Sequence, residues 1–508
     1  MSQTLVDRLL LTIILLAIFV VPGSISGTAV ALPAIGIDTH ASLTSLQWVV
    51  NAFNLTFACF TLAWGALADR LGRKRCFVIG TVIYSVASSL SALAADPLLL
   101  DAARAMAGIG AAAVFSCGIA IISTHFDGPA RIRAFALFGT VAGLGVSLGP
   151  TMSGVLLDHV GWRAIFWTHA IVLLLVFLGS PIIRADVQRT QTPHPFDTLG
   201  AALFISALLS LMMAIVQGSQ WGWGSNGVRG FCLAFAILMT LFVRQERRHP
   251  QPMLDLSLLR NGKYVGFGLV TVAGSLGFVT LLTYLPSYLT GVMQLTATHA
   301  GLAMLLLTMP MLVCPMLAAK LATRGVASTK LLNVSMMCLL VGVVTLALVS
   351  HPGVILWQLA VPLLLTGSGM GLSAGLVDGM ALSTVPEQKV GMAAGLLNTF
   401  RLGSEAIAVA FYASLLATFI DKYLHHILSD LANDAVTLKR WINDVAAGNL
   451  GAPVQAVAAK QADVFQNLLI AGYDHAFHDV LWILSAVILV VSISIAWLIR
   501  PRTALLHG

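Results

Sequence analysis

Long apolar segments are the feature that most constrains this chain. Fourteen such runs follow one another from residue 9 to residue 499, and a helix of about twenty apolar residues is long enough to cross a bilayer. Only 10% of the residues are charged, whereas soluble domains average roughly 25%. The runs are continuously apolar and do not alternate as the strands of a membrane barrel do. The sequence therefore predicts an all-α polytopic membrane protein with fourteen transmembrane helices, of which the segment 228–243 is the least clear.

The placement of Lys and Arg predicts how these helices are oriented. The net charge is +7, and the basic residues form clusters between apolar runs that alternate between strong and weak along the chain. Basic loops of membrane proteins stay on the cytoplasmic side. We therefore expect a multi-pass protein of the bacterial inner membrane with both termini in the cytoplasm. The positive charge then needs no nucleic-acid partner to explain it.

A weak internal repeat predicts the domain organisation. Residues 65–72, after the second span, are similar to residues 319–325, after the tenth span, at an offset of 254 residues between positions 65 and 319. This pattern predicts two six-helix bundles, residues 1–185 and 263–508, with two helices inserted between them in residues 186–262. Repeats that pack around a site near the membrane midplane are typical of secondary transporters.

One loop, residues 419–479, is far longer than the others and lies on the non-cytoplasmic side of the predicted topology. Apolar residues recur in it at helical spacing, and Gly448 to Pro453 has the composition of a turn. We interpret it as a helical hairpin at the membrane surface, either a lid without specific chemistry or a docking site for a periplasmic adaptor. His475 and His478 lie near its end, but a metal site needs more ligands than these. We predict a solvated face there and no metal.

The residues after the second span form a motif, Gly65-Ala-Leu-Ala-Asp69-Arg70-Leu-Gly72-Arg73. Two glycines permit a tight turn close to neighbouring helix ends. Asp69 can accept hydrogen bonds from helix N-termini or from an Arg, which would make a latch between two halves of a molecule. The motif resembles the loop signature between helices two and three of the major facilitator superfamily, and it predicts a gating loop. The alternative is a basic loop that only sets topology.

The fifth span contains a run of small residues around a proline. Gly145, Gly149, Pro150 and Gly154 resemble the antiporter signature of that superfamily, with Ser153 where a second glycine is usual. Small residues let helices approach closely, and Pro removes a backbone hydrogen bond. The resemblance implies a tight, kinked helix between the two halves. The alternative is an ordinary packing face.

Charged residues within the apolar runs are costly in a bilayer and are therefore candidates for function. Arg104 of the fourth span resembles the buried arginine of the superfamily, for which the resemblance implies a part in proton coupling. Asp101, three residues earlier, could neutralise it, and structural pairing alone is the alternative. Asp378 near the inner end of the twelfth span is a further candidate relay, or else an interfacial residue.

Arg401 and Glu405 lie four residues apart in the thirteenth span, where helical spacing places them on one face. This is the most informative pair in the sequence, because a desolvated Glu takes up a proton more readily unless a cation holds it ionised. We predict that Glu405 alternately binds a proton and a cationic substrate. A permanent pair with Arg401 is the alternative.

The first span departs from the superfamily pattern. Its end, Thr28-Ala-Val-Ala-Leu-Pro33, resembles the first-helix motif, but Ser24 stands where that motif normally has an Asp. Any coupling or cation recognition that this acid provides must be relocated here or lost. With Ser24, the residues Asn51 and Asn54 of the second span are candidates for lining the substrate cavity.

The resemblance extends over the chain and points to the fourteen-spanner drug:proton antiporter family, whose members export amphipathic, often cationic compounds by alternating access. We expect a transporter driven by the proton gradient, with a small-molecule substrate, protons and lipid as partners, no cofactor and no enzyme activity. No phosphate-binding loop or hydrolase motif is present in the sequence. Two rival functions remain: export of a metabolite or an anionic compound, favoured by Ser24, and a membrane receptor without transport.

Overall fold

Helices make up nearly all of the chain that the structure describes. The computed structural model describes residues 3–39, 43–183, 197–250, 252–429, 434–446, 450–455 and 462–500, and these contain no β-strand. A bilayer offers no water to backbone N–H and C=O groups, so apolar segments that cross it form helices, in which the backbone bonds are internal. The all-α prediction is confirmed.

The α-helices of the described residues are α1 (Gln3–Thr39), α2 (Leu43–Leu71), α3 (Arg73–Leu93), α4 (Pro97–His125), α5 (Gly128–His159), α6 (Arg163–Gly179), α7 (Thr198–Trp221), α8 (Asn226–Arg248), α9 (Gly262–Gly274), α10 (Thr280–Gly291), α11 (Ala297–Thr308), α12 (Pro310–Thr323), α13 (Ser328–Val349), α14 (Leu356–Ser373), α15 (Leu376–Ser383), α16 (Val390–Ser429), α17 (Ala435–Ala446), α18 (Gly451–Val454) and α19 (Ala462–Leu498).

Among the described residues, fourteen helical segments are long and apolar enough to cross a membrane, as predicted. The least clear one is present as the segment Asn226–Arg248. Three spans each combine two α-helices, namely α9 with α10, α11 with α12 and α14 with α15.

Two of these composite spans change their geometry for an identifiable reason. Ser275–Val279 forms a π-helix between α9 and α10, a feature that is frequent at functional sites. Gly375, between α14 and α15, has a φ of +77°, and a Cβ there would lie only 2.2 Å from the carbonyl oxygen of Phe135. Glycine is therefore required at this joint, because it tolerates positive φ and has no side chain to clash.

Contacts divide the chain into two compact units. Unit 1 consists of Met1–Gly268, Met311–Ser328 and Ala374–Gly403, and unit 2 of Leu269–Pro310, Thr329–Ser373 and Ser404–Gly508. Unit 1 thus contains the first eight spans together with two shorter segments from the second half of the sequence. The division into bundles at residues 1–185 and 263–508 with an insertion at 186–262 stays a prediction, because these units follow contacts and not the sequence repeat.

Within unit 1, α4 is the most enclosed span, because it packs against both α2 and α3. Small residues permit this close approach: a Cβ on Gly108 would lie 2.1 Å from the Thr56 hydroxyl, and one on Gly110 would lie 2.6 Å from the backbone nitrogen of Tyr84. This packing is what buries Arg104 of the same helix, which is only 1% exposed.

Within unit 2, the segment predicted as a surface hairpin begins as a continuation of a span. The helix α16 runs without a break to Ser429, and its residues Ile420, Leu424 and Leu428 are buried. Leu424 occupies the space beside Gly472 of α19, where a Cβ would lie 2.3 Å from it. The short helices α17 and α18 follow, and α18 occupies part of the predicted turn. Gly448 and residues 456–461 of the predicted hairpin lie outside the described residues.

The predicted solvated face is present at His475, which is exposed, but the prediction is wrong for His478, whose ring is bound to its neighbours. The Tyr288 hydroxyl, which is fully buried, donates to Asp474 Oδ1 at 2.5 Å. The ring nitrogens of His478 lie 2.8 Å from the carbonyl oxygens of Asp474 and Ser350. These polar side chains therefore connect α10, α19 and the end of α13 inside unit 2, because a buried polar group needs a hydrogen-bond partner.

Candidate functional site

The carboxylate of Asp69 binds the N-terminus of α16. Its two oxygens accept from the backbone N–H groups of Gly391 at 2.9 Å and Met392 at 2.8 Å, and Arg73 donates to Oδ1 at 3.3 Å. The first N–H groups of a helix lack partners within it, and the helix dipole favours a negative charge there. Asp69 thus caps a helix that lies 322 residues further along the sequence. We call Asp69, Arg73, Gly391 and Met392 the latch.

Glycines allow α2 and α16 to approach closely enough for these bonds. A Cβ on Gly65 would lie 2.2 Å from the carbonyl oxygen of Gly391, and one on Gly391 would lie 2.5 Å from Asp69 Oδ1. One turn further along α16, a Cβ on Gly395 would lie 2.8 Å from the Cα of Leu62. The contact therefore depends on glycines from both helices, of which the sequence motif contains only the first.

The predicted gating residues have different surroundings at this contact. Arg73 donates to the carbonyl oxygen of Glu387 at 2.6 Å, just before α16 begins. Gly72 has a φ of +97° and forms the turn between α2 and α3, which explains the need for glycine there. Arg70 is half-buried at the end of α2. The structure thus brings Gly65, Asp69 and Arg73 together at α16, and their gating role stays a prediction.

The segment between α8 and α9 also binds the start of α16. Asp255 pairs with Lys389, and its backbone N–H points at the sulfur of Met392 at 3.2 Å. Burial alone raises the pKa of the Asp255 carboxyl, but hydrogen bonds from Lys389 and Ser257 outweigh it, so that the pKa lies below its ordinary value. A depressed carboxyl pKa means that the pair stabilises the folded state at neutral pH and is lost only in strong acid, as the pH falls through that pKa.

The small residues of α5 pack against two different partners within unit 1. Gly145 and Gly149 face α1, where a Cβ on Gly149 would lie 2.3 Å from the Ser26 hydroxyl. Gly139 faces Ala374 from the second half of the chain, and a Cβ on Gly139 would lie 3.0 Å from the carbonyl carbon of Ala374. The helix continues through Pro150. Gly154, by contrast, has no atom within 4 Å of its Cβ position, so it takes no part in this packing.

Arg104 is enclosed by neutral groups. Its Nε donates to the carbonyl oxygen of Val49 at 3.0 Å and its Nη1 to the hydroxyl of Ser24 at 2.9 Å, while the Phe53 ring centroid lies 4.4 Å from the guanidinium carbon. Its Nη2 is buried without a hydrogen-bond partner. Among the described residues Asp101 does not neutralise it, contrary to expectation, and Asp101 Oδ1 is itself unbonded. The cation of Arg104 is therefore bound through aromatic and neutral oxygen contacts.

The predicted cavity residues of α1 and α2 differ in burial. Ser24 is fully buried against Arg104, whereas Asn51 and Asn54 are half-buried on α2. The position that carries an acid in the resemblance is thus adjacent to the buried arginine, and in this chain it supplies a neutral hydroxyl.

Asp378 and Arg401 form an ion pair between α15 and α16. Arg401 Nη2 lies 3.0 Å from both carboxylate oxygens, and Arg401 Nη1 donates to Asn398 Oδ1 at 2.9 Å. Asp378 is only 1% exposed. The sequence pattern pointed to Glu405 as the neighbour of Arg401, but it did not show that Asp378 of the preceding helix would reach it. These hydrogen bonds join two charged groups, which makes them stronger than bonds between neutral groups.

Glu405 is half-buried on α16, two residues beyond the end of unit 1. The residue before it, Ser404, forms a hydrogen bond of 2.9 Å with Ser275, the first residue of the π-helix. Sequence reasoning missed this π-helix. The Gly274-Ser-Leu-Gly277 run is the one local signal that marks it, because glycines weaken regular helix. The described residues thus place Glu405 beside a helix irregularity of the kind found at functional sites.

The chain matches the profile of the Major Facilitator Superfamily over residues 14–409. It belongs to this family. Multidrug resistance protein Stp of Mycobacterium tuberculosis (strain CDC 1551 / Oshkosh) is 28% identical over 460 residues, which cover 87% of this chain and 84% of that protein. The probable actinorhodin transporter of Streptomyces coelicolor is 32% identical over 400 residues, which cover 76% of this chain and 68% of that protein. The protein is therefore a membrane transporter with relatives among drug and antibiotic exporters.

Solved structures of the superfamily share the fold. The proton:xylose symporter XylE matches with a TM-score of 0.58 at 13% identity, over 88% of this chain and 94% of that chain. At this identity the likeness establishes the major facilitator fold alone.

Replacing Asp69 by Asn should loosen the start of α16. The amide oxygen can accept one of the two N–H groups, but the charge-assisted bonds and the charge–dipole attraction are lost, at a cost of about 1–2 kcal/mol. Amide exchange of Gly391 and Met392 should accelerate roughly 5–30-fold. Hydrogen–deuterium exchange mass spectrometry in nanodiscs measures it. The matched control is Asp127→Asn, since the Asp127 side chain is 89% exposed. Equal protection in Asp69→Asn and wild type would contradict the capping role.

Replacing Gly149 by Ala should destabilise the packing of α5 on α1, because the new methyl group would collide with Ser26 and Gly23. Overpacking of this kind costs about 1–3 kcal/mol. Gly154→Ala, five residues along the same helix, meets open space and should leave the apparent Tm unchanged. Thermal unfolding of both variants in detergent tests this. Equal Tm values for the two variants would show that the packing of α5 on α1 does not depend on Gly149.

Proposed function

We propose that this protein exports amphipathic, mainly cationic drugs or toxic compounds in exchange for protons, by alternating access. Relatives named as a multidrug resistance protein and as a probable actinorhodin transporter support the substrate class. The basic loops and the bacterial relatives support a place in the cytoplasmic membrane with both termini inside. The relatives described above come from mycobacteria and streptomycetes. The docking of an adaptor on residues 419–479 stays a prediction.

The observation that carries this proposal is the arrangement of charge along one helix. The N-terminus of α16 is held by Asp69, and the same helix carries Arg401, paired with the buried Asp378, and then Glu405. A proton that neutralises Asp378 or Glu405 changes the charge balance around Arg401, which costs free energy inside an apolar bundle. Because α16 is one continuous helix, a shift caused at residues 401–405 is transmitted to the latch.

The driving force is adequate for such a cycle. Each charge that moves inward across a potential of 100 mV releases about 2.3 kcal/mol, and a pH difference adds to it. Opening the latch requires breaking two charge-assisted hydrogen bonds, each worth about 1.5–3 kcal/mol. The two quantities are of similar size, so protonation at α16 and the state of the latch can be coupled.

A second candidate function is export of an anionic compound on the same fold. Arg104 supports it, because Ser24 gives this cation a neutral partner where the superfamily pattern has an acid, and its Nη2 is unbonded. A carboxylate of a substrate would satisfy that nitrogen and balance the charge.

Replacing Glu405 by Gln should abolish transport driven by a pH gradient, because Gln cannot exchange a proton. The measurement is uptake of a cationic dye and of an anionic dye into everted vesicles, with membrane insertion checked by immunoblot. Asp158→Asn, which removes an exposed acid, is the matched control and should pump like wild type. Undiminished pumping by Glu405→Gln would remove Glu405 from the mechanism, and transport of the anionic dye alone would favour the second candidate.

A further inference from the structure

Two buried carboxyl groups lie where the inserted helices α7 and α8 meet. Asp197, directly before α7, is 2% exposed, and Glu246, in the last turn of α8, is 4% exposed. Asp197 Oδ1 accepts from the Gly200 N–H at 2.8 Å and from Gln245 Nε2 at 3.1 Å, while Glu246 Oε2 accepts from the Leu254 N–H at 3.1 Å. Each carboxyl group thus uses one oxygen in hydrogen bonds.

The two remaining oxygens both face Gly200 and have no hydrogen-bond partner among the described residues. Asp197 Oδ2 and Glu246 Oε1 are buried and accept no hydrogen bond. Both converge on the same space beside Gly200, where a Cβ would lie 2.5 Å from the first oxygen and 2.9 Å from the second. We call Asp197 and Glu246 the carboxyl pair.

Within the part of the chain that the structure describes, no positive charge compensates this pair. No ion pair within 4.0 Å joins either carboxylate to a basic group of the described chain. The charged groups on the elements packed around it are Arg229, Arg244, Arg247 and Arg248 on α8, His249 after it, Asp255 and Arg260 in the next segment, and Asp69 and Arg70 on α2, which packs against α7.

Two buried, adjacent and uncompensated carboxylates repel each other, and each free oxygen lacks the hydrogen bond that burial requires. One proton between Oδ2 and Oε1 removes both penalties, since it replaces two like charges by one and forms a short O–H···O⁻ bond. We propose that Asp197 and Glu246 form a proton-binding site in which the two carboxyl groups share one proton.

The site is connected to the latch through a short path of hydrogen bonds. Glu246 binds the N–H of Leu254, and the next residue, Asp255, contacts Lys389 and Met392. Met392 in turn donates to Asp69 at 2.8 Å. Loss of the shared proton forces the two carboxylates apart and displaces Leu254 and Asp255. A rise in pH on this side of the membrane therefore weakens the support of the latch.

Infrared difference spectroscopy of the full chain in nanodiscs tests the proton itself. Wild type should show the C=O band of a protonated carboxyl group that disappears as the pH is raised and shifts in D₂O. Asp197→Asn and Glu246→Gln should each lose this component, and Gly200→Ala should lose it as well, because its methyl group separates the two oxygens. Asp158→Asn, at a distant exposed acid, should retain it. The same band in wild type and in all three pair variants would overturn the proposal.

Amide exchange of residues 252–258 and 390–394, corrected for the intrinsic effect of pH, tests the connection. In wild type it should accelerate as the band disappears. In Glu246→Gln it should stay slow across that pH range, because the neutral amide imitates the protonated state and can donate to Asp197. An exchange rate that does not depend on pH in wild type would contradict the proposal. An exchange rate that depends on pH as strongly in Glu246→Gln as in wild type would also contradict it. Neither readout involves a substrate, so a failure here is distinguishable from a failure of the proposed transport function.

Discussion

A negative charge at the start of α16 is the constraint on which the rest of unit 1 depends. Asp69 on α2 accepts hydrogen bonds from the first N–H groups of a helix from the other half of the sequence, and glycines at positions 65, 391 and 395 make that approach possible. A larger side chain at Gly65 or Gly391 would separate the helices, and without the carboxylate the helix end would be left unsatisfied. The close approach of α2 and α16 and the negative charge of Asp69 are therefore both needed at this contact.

The helix that Asp69 holds is also the one that carries the buried charges. From the latch, α16 continues to Arg401, which is paired with Asp378, and to Glu405, beside the π-helix of the span formed by α9 and α10. Two further groups reach its start, the pair of Asp255 with Lys389 and, through Leu254, the carboxyl pair of the inserted helices. Charge changes at several positions thus converge on a single helix end, as the proposed coupling of proton binding to opening requires.

The sequence allowed the fold and part of the site to be predicted, for physical reasons that differ between residues. The fourteen spans follow from continuous apolar runs, and Asp69 follows from a motif with a clear capping chemistry. Asp101 was expected beside Arg104 from helical spacing, but spacing does not determine which way a long side chain turns, and Arg104 reaches Ser24 and Val49 instead. Asp197 and Glu246 are 49 positions apart with no motif, so only the folded chain brings them together. His478 was expected to be solvated because the carbonyl oxygen of Ser350, which its ring approaches, belongs to a distant part of the sequence.

The distance between the end of α2 and the start of α16 is the most direct test of the account. Spin labels at Leu71 and Gln388, both exposed, in a background with the native cysteines replaced, report it by pulsed electron paramagnetic resonance in nanodiscs. The account predicts a short and a long population whose ratio changes with pH and with added drug, and a shift to the long distance in Asp69→Asn. A single distance that is the same under all these conditions and in that variant would contradict it.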